Sequence, residues 1–92
     1  MPVDQFVWDE NNLEHIARHQ VEWYEVEQAA HNSPVIRKGR GENRYYIYGQ
    51  TEAGRYFTVI ADHEGEGWFY PVTARDMTSN ERRAYRKAAG KK

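Results

Sequence analysis

Arg44, Arg55 and Arg75 stand at the ends of strand-like runs, with tyrosines and histidines available nearby. A guanidinium holds two oxygens in one planar fork, so arginines gathered in one place suit a phosphate and the extra charge of a phosphorane. Cleavage of RNA without a metal needs three things: deprotonation of the 2′-hydroxyl, stabilisation of that charge, and protonation of the leaving oxygen. His19 and Tyr85 are the candidates for proton transfer. Taken singly, each arginine reads better as a surface or structural ion pair; the functional reading depends on their convergence in space.

Other chemistries find less support. The chain has no cysteine, which removes disulfides, thiolate zinc sites and a thiol nucleophile. His15 and His19 are four apart on an expected helix, but no third ligand has a supporting spacing, so no metal is expected. Lys38-Gly39-Arg40-Gly41 lacks the length and the following Lys-Ser/Thr of a phosphate-cradling loop and reads as a flexible basic turn. No serine nucleophile stands out.

The elements that must position these residues follow from periodicity. Arg75 lies in Val72–Tyr85, where an apolar strand runs through the arginine into a helix whose start is fixed by Thr78 and Glu81, at the spacing of a capping box. Upstream, Phe6-Val7-Trp8 reads as a short strand and Asp9 as the N-cap of a helix ending near His19-Gln20, with Leu13, Ile16 and Ala17 on its buried face. A second helix is expected from Val21 to Ala30, with Trp23, Val26 and Ala30 inward, stopping before Asn32-Ser33-Pro34.

From Val35 the period changes to two. Val35-Ile36-Arg37, Arg44–Tyr48, Arg55–Ala61 and Trp68–Ala74 read as strands, joined by the basic turn, by Gln50–Gly54 and by Glu64–Gly67. Pro71 removes a ladder donor, so it is expected at a bulge or an edge. The last helix is expected to pack through Ala84, Tyr85 and Ala88, and Gly90-Lys91-Lys92 to fray.

Ninety-two residues allow one domain, spanning 1–92, with a core rich in its three Trp, seven Tyr and three Phe. No run resembles a signal peptide or a membrane span, so a cytoplasmic protein is the expectation. Net charge is only −1, yet it is sorted. Residues 1–30 carry seven acids against Arg18, whereas residues 71–92 carry seven bases against Asp76 and Glu81. That polarity fits one face for a polyanion and another for a basic partner, and fits equally two solvated helix faces.

The chain resembles the BrnT toxins of bacterial type II toxin–antitoxin systems, small relatives of the RelE-like ribonucleases. The resemblance rests on Phe6–Asn11, His15–Val21, Glu25–Ala29, Arg44–Thr51, Gly54-Arg55, Thr73–Thr78 and Glu81–Tyr85, in this order, and covers nearly the whole chain. It implies a RelE-like α+β fold, with two N-terminal helices packed on a small antiparallel β-sheet and a C-terminal helix closing it. It also implies a ribonuclease that inhibits translation without a metal or other cofactor. A BrnA-type antitoxin would hold it inactive, in a heterotetramer that reaches operator DNA only through the antitoxin's ribbon-helix-helix domains. Carried to matching positions, the family's polar residues are His19, Arg44, Arg55, Arg75 and Tyr85, with Glu42 and Glu81 as supporting acids. On this reading Arg55 and Arg75 bind the scissile phosphate, His19 or Tyr85 moves a proton, and Arg44, Lys38, Arg40 and Arg82 bind the RNA backbone. Two other readings stay open: a non-catalytic RNA-binding or co-repressor module using the same basic face, and an interaction protein whose acidic N-terminal helices are the contact surface.

Overall fold

The period-two stretch beginning at Val35 becomes four consecutive antiparallel strands in the computed structural model, which describes residues 3–90. The elements run β1 (Gln5–Phe6), α1 (Glu10–Ala17), α2 (Trp23–Ala30), β2 (Val35–Lys38), β3 (Arg44–Gln50), β4 (Tyr56–Gly65), β5 (Trp68–Asp76) and α3 (Ser79–Ala88). Lys91 and Lys92, expected to fray, lie outside the described residues.

The sheet is mixed, where an antiparallel one is expected. Its order is β1-β5-β4-β3-β2, and β1 lies parallel to β5, with Gln5 opposite Trp68 and Phe6 opposite Phe69. Parallel neighbours need a long crossover, and here everything from α1 to β4 supplies it. The Gly67 carbonyl accepts from the Asp4 and Gln5 N–H groups, and the Phe69 carbonyl accepts from Val7.

One face of the sheet carries the core. Ile47, Phe57, Val59, Ala61, Phe69 and Ala74 are fully buried there with Val26 and Ala29 of α2 and Ile16 of α1. Burial of a side chain such as Phe57 stabilises by about 1.5–3 kcal/mol. α1 lies over β5, and α2 over β3.

α1 and α3 begin at the caps the sequence indicates and α2 two residues after the expected Val21; Ile16, Val26, Ala30 and Tyr85 are buried as expected, whereas Leu13, Ala17, Trp23, Ala84 and Ala88 are not. Asp9 caps α1 in a reciprocal box with Asn12. The Asn12 amide also donates to the Val7 carbonyl at 2.8 Å, which ties this polar side chain into the interior. Asn12 and Ile16 are therefore the buried pair, while Leu13 is 36% exposed and Ala17 lies outside. In α2 the buried residues are Val26, Ala29 and Ala30, and Trp23 is exposed beside Tyr24. Among the described residues no helix is long and apolar enough to cross a membrane.

The turns follow the sequence, except that β4 runs on through Gly65 and confines the β4–β5 turn to Glu66-Gly67. Gly54 closes the β3–β4 hairpin at φ +98°, a conformation that side chains other than glycine seldom adopt. Pro71 pairs with Ala61, whereas Thr73 pairs with Ile60, so Val72 is the extra residue of a bulge at the proline. α3 starts at Thr78, whose hydroxyl accepts from the Glu81 N–H while Glu81 accepts from the Thr78 N–H. It lies on the face opposite the core: Tyr85 is buried against Tyr56, with ring centroids 6.0 Å apart, and Ala84 and Ala88 are exposed.

Candidate nucleic-acid interface

Arg75 is the next-to-last residue of β5, pointing to the α3 side because Ala74 points to the core. Its guanidinium meets Glu81 in a two-pronged pair, Nη1 to Oε1 at 2.7 Å and Nη2 to Oε2 at 3.0 Å. The same Oε1 accepts from the Thr58 hydroxyl at 3.0 Å and from the Thr78 N–H at 2.9 Å. Thr58 is directly opposite Arg75 in the sheet, so strand register and helix cap aim at one carboxylate. Hydrogen bonding from Arg75, above all, pulls the Glu81 pKa down to about 2, and the same pair raises that of Arg75. A carboxylate so held remains ionised at neutral pH and is a poor proton carrier.

Arg55 precedes β4 at the same end of the sheet and lies on the opposite face, its guanidinium 4.5 Å from the centre of the buried Phe57 ring. Nη1 donates to the Gln20 carbonyl at 2.9 Å and to both oxygens of Glu25 at 3.2 Å. Nε and Nη2 reach Asp76 at 3.3–3.5 Å. Arg75 also donates to the Asp76 carbonyl, at 3.2 Å. The two arginines thus meet at one residue from two sides. Charge-assisted N–H···O contacts usually measure about 2.7–2.9 Å. Arg75 is close to that range with Glu81, whereas the carboxylate contacts of Arg55 are long and divided among partners.

A groove of about 290 Å³ opens at this end, lined by Gly54, Arg55, Tyr56, Asp76, Met77 and Arg82. Arg82 stacks on Tyr56, 4.3 Å from the ring centre, and has no carboxylate within 4.0 Å among the described residues. Arg55, Arg75 and Arg82 therefore share one end of the molecule.

Arg44 does not join them. It opens β3, and because β3 and β4 are antiparallel its partner is Asp62, four residues beyond Thr58 and about 13 Å further along β4. There it donates to Asp62 at 2.8 and 3.1 Å, which lowers the carboxyl pKa and raises that of the arginine. Arg40 and Glu42 line a cavity of about 310 Å³ at that far end, while Lys38 donates to the Gly41 and Glu42 carbonyls. The expectation of one patch containing Arg44, Arg55 and Arg75 is corrected to two sites at opposite ends.

The proton-transfer candidates are also separated. Tyr85 is only 2% exposed under α3. His19 is exposed in the turn after α1, its ring 5.8 Å from that of His15. The next residue, Gln20, has φ +58°, and this left-handed turn presents the carbonyl that Arg55 grips. Among the described residues no three His, Asp or Glu side chains are grouped to hold a metal ion.

Sequence reasoning missed Glu25 and Asp76 as the carboxylates around Arg55, and Arg37 and Tyr48 beside α3. For Glu25 no signal existed, since it is 30 residues from Arg55 on another element. Tyr48 was visible as one of the alternating tyrosines of β3. No protein-family model matches the chain, and no curated protein matches it either.

Proposed function

We propose that this chain is a metal-independent endoribonuclease of the BrnT type, a toxin that inhibits translation in the bacterial cytoplasm until a BrnA-type antitoxin neutralises it. The observation that carries the reading is the meeting of Arg55 and Arg75 at Asp76, beside Arg82, which has no carboxylate within 4.0 Å among the described residues. Two helices on one face of a strand meander and a closing helix on the other support a RelE-like arrangement, with the parallel β1 as an addition.

On this reading the labour is divided. Arg55 and Arg82 grip the scissile phosphate, because the loose carboxylate contacts of one and the open position of the other let oxygens replace their present neighbours. Arg75 is held by Glu81 and supplies fixed positive charge. His19 removes the 2′-hydroxyl proton; the 2′-oxygen attacks phosphorus, the bond to the 5′-oxygen breaks, and that oxygen takes up a proton from water, the protonated His19 later returning its own to solvent. The products are a 2′,3′-cyclic phosphate and a 5′-hydroxyl. Tyr85, closed in under α3, packs the helix instead of moving the proton.

The antitoxin joins the toxin in a heterotetramer, and operator DNA is bound through the antitoxin alone. A second reading, RNA binding without cleavage, is favoured by the tight pairing of Arg75 and the burial of Tyr85. Induced expression in bacteria is expected to arrest translation, and Arg82→Ala to relieve the arrest without breaking any ion pair. Arg75→Ala should relieve it as well, with folding checked by circular dichroism because Glu81 loses its partner. Folded Arg82→Ala and Arg75→Ala proteins that both remain fully toxic would contradict the assignment.

A further inference from the structure

α3 meets the sheet through Glu81, Arg82 and Tyr85, over β4 and β5, and leaves the β2–β3 side of the same face open. A cavity of about 230 Å³ remains there. Its apolar walls are Val35, Ala84 and the rings of Tyr48 and Tyr85, and its polar groups are Arg37, Asn80 and Glu81. Cavities for drug-sized ligands begin at about 300 Å³, so this one suits a single ring system.

Its position is set by strand register. Val35, Tyr48, Thr58 and Arg75 form one row across β2, β3, β4 and β5. The cavity stands on the first two residues of that row, and the Arg75–Glu81 pair on the last two, with Glu81 common to both. Arg37 has no carboxylate within 4.0 Å among the described residues, unlike Arg44, Arg55 and Arg75. A ligand here meets aromatic and aliphatic walls, hydrogen-bonding groups on one side and an available cation. Those are the features of a flat heterocycle bearing an anionic substituent.

We propose that this cavity receives one nucleobase of the RNA, with Arg37 on that nucleotide's phosphate, and so selects the residue next to the cleaved bond. The proposal rests on the ribonuclease reading for its substrate, while the cavity itself is testable with nucleotides alone. Glu81 then has three tasks: capping α3, bracing Arg75 and accepting from a base N–H through Oε2. The burial of Tyr48, more than any other influence, raises its hydroxyl pKa and keeps it a donor.

The test is titration of the purified protein with the four nucleoside 3′-monophosphates, ribose 5-phosphate and inorganic phosphate, read by calorimetry and backbone amide shifts. At least one nucleotide should bind tenfold or more tightly than ribose 5-phosphate, with shifts centred on Val35, Tyr48 and Ala84. Arg37→Ala should weaken that nucleotide about tenfold, the scale of one charge-assisted contact. Ala84→Trp, which fills the cavity from an exposed helix position, should abolish the preference for a base; Ala84→Leu is the milder filling, and the wild-type comparison decides if neither variant folds. Equal binding of ribose 5-phosphate and the nucleotides, shifts confined to the Arg55 end, or an unaffected and folded Ala84→Trp protein would overturn the proposal. RNA cleavage without nucleotide preference would overturn the cavity and leave the ribonuclease reading standing. Nucleotide binding with no binding of RNA would overturn the RNA assignment.

Discussion

Replacing Gly49 by alanine is expected to destabilise the protein by about 2–3 kcal/mol, more than most single changes outside the core. Gly49 lies in β3 where α2 crosses it. A Cβ built there would stand 2.7 Å from the Ala29 carbonyl carbon, 3.1 Å from its Cα, and closer still to its oxygen. These are backbone atoms of a buried helix turn, with Ala29 and Ala30 both packed inward, so no side-chain rotation relieves the clash. α2 would have to lift from the sheet. The backbone at Gly49 is outside the left-handed region, so the substitution tests space rather than backbone conformation. For a domain of this size the loss corresponds to a fall of roughly 10–20 °C in Tm. A Tm within two or three degrees of wild type would show that α2 is not seated as described.

The second large effect belongs to Glu81. Its carboxylate accepts two bonds from Arg75 and one each from Thr58 and the Thr78 N–H. Its pKa falls from the ordinary 4.5 to about 2, which amounts on the order of 2–3 kcal/mol in favour of the folded state, after allowance for the part-exposed Arg75. The folded pKa lies below the unfolded one. This contribution is therefore complete above about pH 4.5 and is lost as pH falls through about 2. Glu81→Gln keeps an acceptor for the cap but removes the charge, so it should be less stable than wild type by that amount at pH 7. The gap should shrink below pH 4.5 and close near pH 2, as measured by urea unfolding across the series. A gap that does not change with pH, or no gap at pH 7, would refute the role given to this carboxylate.

Much of the scaffold was legible because local rules and tertiary structure agree. The Thr78–Glu81 box, the Asp9 cap, the alternation in β3 and β4 and the bulge at Pro71 all rest on interactions within a few residues or on one period. Less could be read where a short element borrows its place from elsewhere. β1 has two residues, too few for any period, and its parallel pairing depends on where β5 ends up. The inward face of α1 departs from its apolar periodicity because Asn12, polar by type, is drawn in by its bonds to Asp9 and Val7, and Leu13 is left outside.

For the site, residue type identified the arginines but not their company. Asp62, Glu81, Glu25 and Asp76 take up Arg44, Arg75 and Arg55 through strand register and helix placement. The separation of Arg44 from Arg55 follows from the antiparallel pairing, which puts the start of β3 beside the far end of β4. That step was available from the sequence once the strands had been assigned. The grip of Arg55 on the Gln20 carbonyl was not, since it joins residues 35 apart through a left-handed turn at a glutamine.

We propose that RNA is cut at the end of the molecule shared by Arg55, Arg75 and Arg82, with His19 one residue from the Gln20 carbonyl that Arg55 holds. The most direct measurement incubates the purified protein with a defined RNA, with and without ribosomes, in excess chelator, and identifies the ends. The predicted result is a 2′,3′-cyclic phosphate and a 5′-hydroxyl. The rate should fall by about a hundredfold or more in Arg55→Ala, the scale of losing one group that stabilises developing charge, and similarly in His19→Ala. RNA that is bound but stays intact under both conditions would contradict it, as would cleavage at the wild-type rate by both folded variants.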